Sequence, residues 1–160
     1  MSNIRNNKIL GKSLNRIANH LAKNQNLCKY LYYTNFSPLE EKDITGYNLI
    51  NENILVIPLI NENEFDTAAK IALLIESGEV LDNRDFVNLK ISIIVYVPFK
   101  SWAIDDFQLR PFAIMSEIEN SLKGKNIESL GSIKYEGFYL NTIDDNLASY
   151  KMEFYLDVFN

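Results

Sequence analysis

The sequence predicts an α+β fold: an antiparallel or mixed sheet of four or five strands with helices packed on one face, in the order α, β, β, β, α, β, β. Three observations carry this reading. Apolar residues near the N-terminus recur at helical spacing, those between Asn88 and Val97 alternate with period two, and a proline-started helical segment separates that strand from two further alternating runs. Hairpin connections between successive strands force antiparallel neighbours, so an all-parallel sheet is excluded.

Leu10, Leu14, Ile17 and Leu21 follow at intervals of four, three and four, which makes one apolar stripe on a helix over residues 8 to 24. Asn26 suits the N-cap of a second short helix carrying Leu27, Leu31 and Tyr30. Ser37-Pro38 ends the helical segment, residues 1–34, because the residue before proline is pushed out of the α region. Residues 35 to 52 are polar and irregular, and a surface loop with one helical turn is expected there.

The run from Asn53 to Ile60 is rich in β-formers but contains Pro58, which cannot donate to a ladder and points to an edge or a bulge. Thr67 to Glu76 places Ala69, Ile71, Leu73 and Ile75 on one face of a half-buried strand, with Lys70 and Glu76 on the other. Residues 77–86, SGEVLDNRDF, read as an extended loop, long for a hairpin connection and of a length that often serves partners. The next strand turns Leu89, Ile91, Ile93, Val95 and Val97 one way and Lys90, Ser92, Ile94 and Tyr96 the other.

Beyond Pro98 the loop FKSWAIDDF leads to Leu109-Arg110-Pro111, where proline opens a helix. Ile114, Ile118 and Leu122 recur every four residues with Met115 beside them, and Gly124 supplies the stop. The closing strands are expected at residues 130 to 140 and 149 to 159, joined through a turn at Asp144-Asp145-Asn146. In the last strand Met152, Phe154, Leu156 and Val158 share a face. Residues 53–160 thus form the sheet with one crossing helix.

A chain of 160 residues fits a single domain, residues 1–160, and buries about 70% of its unfolded surface without disulfide or metal staples. The lone Cys28, flanked by Leu27 and Leu31, reads as a small buried hydrophobe. No signal-peptide core follows the N-terminus, and the longest apolar runs fall far short of the roughly 20 residues of a membrane helix, so a soluble chain with no membrane partner is expected.

The formal charge of −5 argues against a sequence-reading nucleic-acid binder, which normally presents a basic patch to phosphates. Arg5, Lys8, Lys12, Arg16, Lys23 and Lys29 read as the solvated faces of the N-terminal helices. Tyr30, Tyr32 and Tyr33 read as core or interface packing, rather than as a platform for bases.

Recognisable reaction chemistry is missing from the sequence. The single histidine, His20, lies beside the apolar stripe with no nucleophile fixed near it by spacing. One Cys and one His cannot supply a zinc site, and six scattered glycines form no phosphate loop. The pairs Asp105-Asp106 and Asp144-Asp145 lack the spacing of a calcium loop and are explained by turns and solubility. A non-enzymatic protein with no cofactor and no metal is therefore expected. Trp102 stands out, since an aromatic between a strand and a helix either closes over the core or anchors a contact.

Four segments together carry a resemblance: NQNLCKYLYYTNFSPL at residues 24 to 39, NENILVIPLI at residues 51 to 60, ISIIVYVPFKSWAIDDFQLRPFAIMSEIENSL at residues 91 to 122, and IKYEGFYLNTIDDNLASYKMEFYLDVFN at the C-terminus. In element order and residue pattern the chain resembles the neck, connector and tail-terminator-like ring proteins of tailed bacteriophages, most closely those of short-tailed, crAss-like and related phages. That resemblance implies a structural virion protein, assembled in the bacterial cytoplasm, whose partners are itself as a ring of six or twelve copies and the portal or neighbouring tail proteins. DNA would pass through such a ring without sequence-specific binding, and an acidic lumen would keep it from sticking. On this reading Glu79, Val80 and Leu81 of the extended loop, together with Trp102, Asp105 and Asp106, are the candidate interface residues. The alternative is a small protein- or ligand-binding module without catalysis, which would stay monomeric and show an apolar pocket.

Overall fold

A computed structural model describes residues 8–57, 67–80, 86–128 and 130–159. Two helices, α1 (Lys8–Leu21) and α2 (Gln25–Tyr32), lead into short 3-10 turns at Pro38–Glu40 and Gly46–Leu49. Then come β1 (Ile54–Leu55), β2 (Lys70–Val80), β3 (Phe86–Pro98), a 3-10 turn at Phe99–Ser101, α3 (Arg110–Leu122), β4 (Lys134–Ile143) and β5 (Leu147–Phe159). The sheet order is β1-β2-β3-β5-β4. β1 pairs parallel to β2 and every other pair is antiparallel, so the α+β class with a five-stranded mixed sheet is the one the sequence predicts.

The alternation in β3 has the expected consequence. Leu89, Ile91, Ile93, Val95 and Val97 are buried beneath the helices with Ile71 and Leu73 of β2 and Met152, Phe154 and Leu156 of β5. Ile17 and Leu21 of α1, Leu27 and Leu31 of α2, and Ile114, Ile118 and Leu122 of α3 close this core from the helical side. Each such side chain contributes about 1.5–3 kcal/mol through apolar area removed from water. Cys28 lies in the same cluster as a free thiol, its Sγ donating to the Ala22 carbonyl at 3.3 Å, and burial pushes its pKa up to about 11.

Local chemistry accounts for the element ends. Asn24, rather than Asn26, caps α2, its side-chain oxygen accepting from the Leu27 amide at 3.0 Å, because Ala22 and Lys23 already leave the helix. The irregular stretch from 35 to 52 holds two 3-10 turns where one turn was expected. In the second, a Cβ on Gly46 would overlap the carbonyl oxygen of Ala22, so this turn needs glycine to sit against the end of α1. Gly124, at φ +68°, stops α3 as the sequence suggests. Asp144 builds the β4–β5 turn, its carboxylate accepting from the amides of Asn146 and Leu147 at 2.7 and 2.9 Å.

Three boundaries differ from expectation. Ser77 to Val80 continue β2 and Phe86 already belongs to β3, with Val80 opposite Val87, so both ends of the predicted loop are strand and residues 81–85 lie outside the described ones. Ser77 and Gly78 pair with Lys90 and Leu89 despite their weak strand preference, since cross-strand pairing to a long central strand overrides local preference. Glu79 and Val80 are therefore strand residues, and Leu81 lies outside the described residues. β4 starts at Lys134 and β5 at Leu147, because Asp144 sets the turn and the turn sets the register. Of the run from 53 to 60, Ile54 and Leu55 form a strand at the sheet edge, as anticipated, while Pro58 falls outside the described residues.

Candidate interaction surface

The connection between β3 and α3 is tied to the rest of the fold by many hydrogen bonds. Its support is Arg110, a fully buried side chain at the first position of α3. The guanidinium donates from Nε to the Ser101 carbonyl at 2.6 Å, from one terminal nitrogen to the carbonyls of Tyr30 and Tyr33 at 2.8 and 2.7 Å, and from the other to Asn35 at 2.6 Å. Its partners are main-chain oxygens left over at the end of α2 and in the 3-10 turn, groups that have no helical partner of their own. Burial pulls its pKa down to about 10, opposed by the nearby Tyr30 and Asp105, so it is charged at neutral pH.

On this base stands a short hairpin-like loop. Ala103 bridges Leu109, the Ile104 amide donates to Gln108 at 3.1 Å, and the Asp105 amide donates to Phe36 at 2.9 Å. At its tip Asp106 and Phe107 both take positive φ, 55° and 57°, and Phe107 is completely exposed. A non-glycine pair in the left-handed region costs of order 1–3 kcal/mol per residue, so the surrounding bonds hold it there.

Beside the tip a shallow, open cleft of about 440 Å³ is lined by Tyr30, Gln108, Leu109, Phe112, Ala113, Ser116 and Glu117. Its apolar wall continues across the sheet: Phe112 contacts the Tyr150 ring at 5.2 Å, Tyr150 contacts Phe138 at 6.1 Å, and Leu140 is paired with Tyr150. Phe112, Phe138 and Leu140 are exposed around Tyr150, with exposed Leu109 beside Phe112 in the cleft wall and Phe107 exposed at the loop tip. Exposed apolar groups of this kind mark docking surfaces more often than they mark nothing. Burial raises the pKa of Tyr30, the charges of Glu117, Asp105 and Asp106 raise it further and that of Arg110 opposes them, and of these acids Glu117 lines the cleft.

The predicted interface residues fall into two separate groups. Glu79 and Val80 end β2 beside Val87, whereas Trp102, Asp105 and Asp106 follow the opposite end of β3. The eleven-residue span between these ends is roughly 35 Å at strand rise. Trp102 is half-buried, packs on the core and meets Phe99 at 5.4 Å, so it supports the loop from within. Asp105 is partly covered and Asp106 is exposed. Phe107 and Arg110 were not singled out by sequence reasoning. An apolar residue after two aspartates in a turn could have drawn notice to Phe107, but nothing in the sequence distinguishes Arg110 from a surface arginine.

Other residues weighed in the sequence have ordinary surroundings. His20 Nε2 bonds the Ser121 carbonyl at 2.8 Å, tying α1 to the C-terminal turn of α3. Tyr33 donates its hydroxyl to the Lys42 carbonyl and stacks edge-on to Tyr32. Among the described residues no group of three or more His, Cys, Asp or Glu is placed to hold a metal ion, and no helix is long and apolar enough to cross a membrane.

No curated protein matches this chain. The YomW family model matches residues 24–155, most of the chain from α2 through β5, and YomW is a gene product of the Bacillus phage SPBc2. The chain belongs to the YomW family, a phage-related family.

Proposed function

We propose that this protein is a structural component of the phage virion that assembles into a ring in the neck, as a head-to-tail connector or tail terminator, without catalysis. The ring, of six or twelve copies, joins the capsid portal to the tail, and the genome passes through it without sequence-specific contact. The likeness to neck proteins of short-tailed, crAss-like phages is part of this proposal. Support comes from membership in a phage-related family and from one physical observation above all. The large apolar side chains of Phe107, Leu109, Phe112, Phe138 and Leu140, carried on the 103–109 loop, α3 and β4, are left exposed. Ring subunits need such lateral surfaces, each contact typically covering about 800 Å² per partner.

Mass in solution across a range of concentrations, with negative-stain images of any large species, tests the proposal. Closed rings of fixed copy number are expected, alone or on mixing with the cognate portal. Persistent monomer in both conditions overturns it in favour of the binding-module reading, to which the open cleft beside Tyr30 lends its only support. If acids line the channel, replacing them by lysine slows DNA ejection while leaving assembly intact.

A further inference from the structure

Phe107 stands where the backbone does not favour it. Asp105 to Gln108 form a turn closed by the Gln108 amide donating to the Asp105 carbonyl at 3.1 Å, and both central residues, Asp106 and Phe107, take positive φ. Aspartate tolerates that region, whereas a bulky side chain is strained in it and glycine is the residue such a turn selects. The side chain gains no packing in exchange, because Phe107 is completely exposed. A costly residue left uncovered by its own fold points to a contact outside it.

The tip is also prepared for such a contact. The Ile104 amide donates to Gln108, the Asp105 amide to Phe36 and the Arg110 amide to Trp102, at 3.1, 2.9 and 2.7 Å, so Phe107 is presented from a fixed base and little order is lost on binding. Phe36, bonded to the tip through its carbonyl, is itself exposed, which sets a second aromatic on an adjoining segment. The charge around Phe107 narrows the choice of partner. Asp106 is exposed, Asp105 is partly covered and acts on the buried Arg110 only through space, and neither forms a salt bridge among the described residues. These acids repel the phosphates of duplex DNA and anionic lipid headgroups. A second copy meeting the tip through the same surface would set the aspartates against their own likes. An apolar hollow with cations beside it answers both the aromatic and the acids.

We propose that the Asp105–Phe107 tip is an anchor that seats in an apolar socket rimmed by lysine or arginine on a different protein. Phe107 supplies the affinity as it is desolvated in the socket, and the two aspartates set the orientation and the rate of encounter. The contact goes beyond the ring reading and does not depend on it, since Phe112, Phe138 and Leu140 remain exposed on α3 and β4 for contacts between copies.

The test begins with the full chain carrying photoreactive p-benzoylphenylalanine in place of Phe107, irradiated in cells that are assembling phage particles. The control carries the same probe in place of Tyr139, which lies with Lys151 on the open face of the sheet. One dominant adduct to a different protein is expected, absent from the control, its linked peptide bearing apolar residues with Lys or Arg. Against that protein once purified, Phe107→Gly should bind at least about 30-fold more weakly while raising the thermal midpoint of this chain by about 2–4 °C, the opposed effects that a strained anchor requires. Asp106→Asn, which suits the same backbone, should slow association several-fold at low salt and leave the midpoint unchanged. A Phe107→Gly variant that binds like the parent, or that is less stable than it, overturns the proposal. So does an adduct to another copy of this chain, to lipid or to DNA, or no adduct above the control. Rings that form without the adduct overturn this contact and leave the ring reading standing, and the adduct without rings does the reverse.

Discussion

The open face of the sheet and the rim of the cleft are both rich in charge, yet they solve opposite problems. On the sheet, Lys90 bridges Glu76 and Glu153 at 3.3 and 3.2 Å, and Lys151 pairs with Glu76 while lying 5.8 Å over the Tyr139 ring. Glu76 reaches both lysines because it occupies the bulge between Ile75 and Ser77, where an extra residue re-aims a side chain. Hydrogen bonding to Glu153 leads the causes that raise the pKa of Lys90. This face is neutralised within the subunit. At the 103–109 loop and on α1, by contrast, Asp105, Asp106, Lys12 and Arg16 form no salt bridge among the described residues, Asp105 acting on the buried Arg110 only through space. The difference teaches that a charge count does not locate a contact surface, whereas the residual charge left after internal pairing does.

Breaking the support beneath the cleft should have the largest effect. Arg110→Met would orphan the carbonyls of Ser101, Tyr30, Tyr33 and Asn35, and a loss of about 3–5 kcal/mol is expected in denaturant unfolding. A small loss would mean that these carbonyls find other partners and that the loop needs no buried cation. Next comes a charge created where no partner exists. The Cys28 thiol has its pKa raised from 9.0 to about 11 by burial, so the folded state holds its proton more tightly than the unfolded state does. The corresponding stability, about 2–3 kcal/mol, is fully present below pH 9 and is lost as pH rises through 11. Cys28→Ala should flatten that portion of the pH profile, and an unaltered profile would remove the thiol as its cause.

Within the paired ladder, Lys151→Met should cost about 1 kcal/mol, the scale of a partly screened network, and leave the mass in solution untouched. Ser92→Ala sharpens the same contrast. The Ser92 hydroxyl is buried in the middle of this face with no hydrogen-bond partner among the described residues, so its removal should be neutral or stabilising by up to about 1 kcal/mol. The smallest stability change belongs to the unpaired region: Phe107→Ser should shift the thermal midpoint by no more than a degree or two while weakening assembly. If it instead unfolds the loop, the tip is structural and the contrast between the two regions fails.

Much of the fold was legible because it rests on local rules. The period-two pattern of β3 and β5, the apolar stripe of α1, Pro111 and Gly124 around α3, and Asp144 in the last turn all act within a few residues of themselves. The candidate surface was legible only in part. Asp105, Asp106 and Trp102 stand out in the sequence, and in the structure Trp102 packs on the core and on Phe99 while Asp106 is exposed. Glu79 and Val80 lie at the opposite end of the sheet, because strand pairing absorbed the segment that reads as a loop. Phe107 and Arg110 escaped notice, since exposure and burial belong to the packed whole.

By itself the sequence determined the class of fold, the element order, the apolar faces and the absence of a recognisable catalytic motif, since composition and periodicity act over short distances along the chain. Only the tertiary structure decided that β1 runs parallel at the edge and that a bulge gathers Glu76 with Lys90 and Lys151. It also decided that Arg110 is buried among carbonyls contributed by Tyr30, Tyr33, Asn35 and Ser101. Those are facts about groups brought together across up to 80 residues of chain, and their energies depend on distance and burial in space rather than on separation along the sequence.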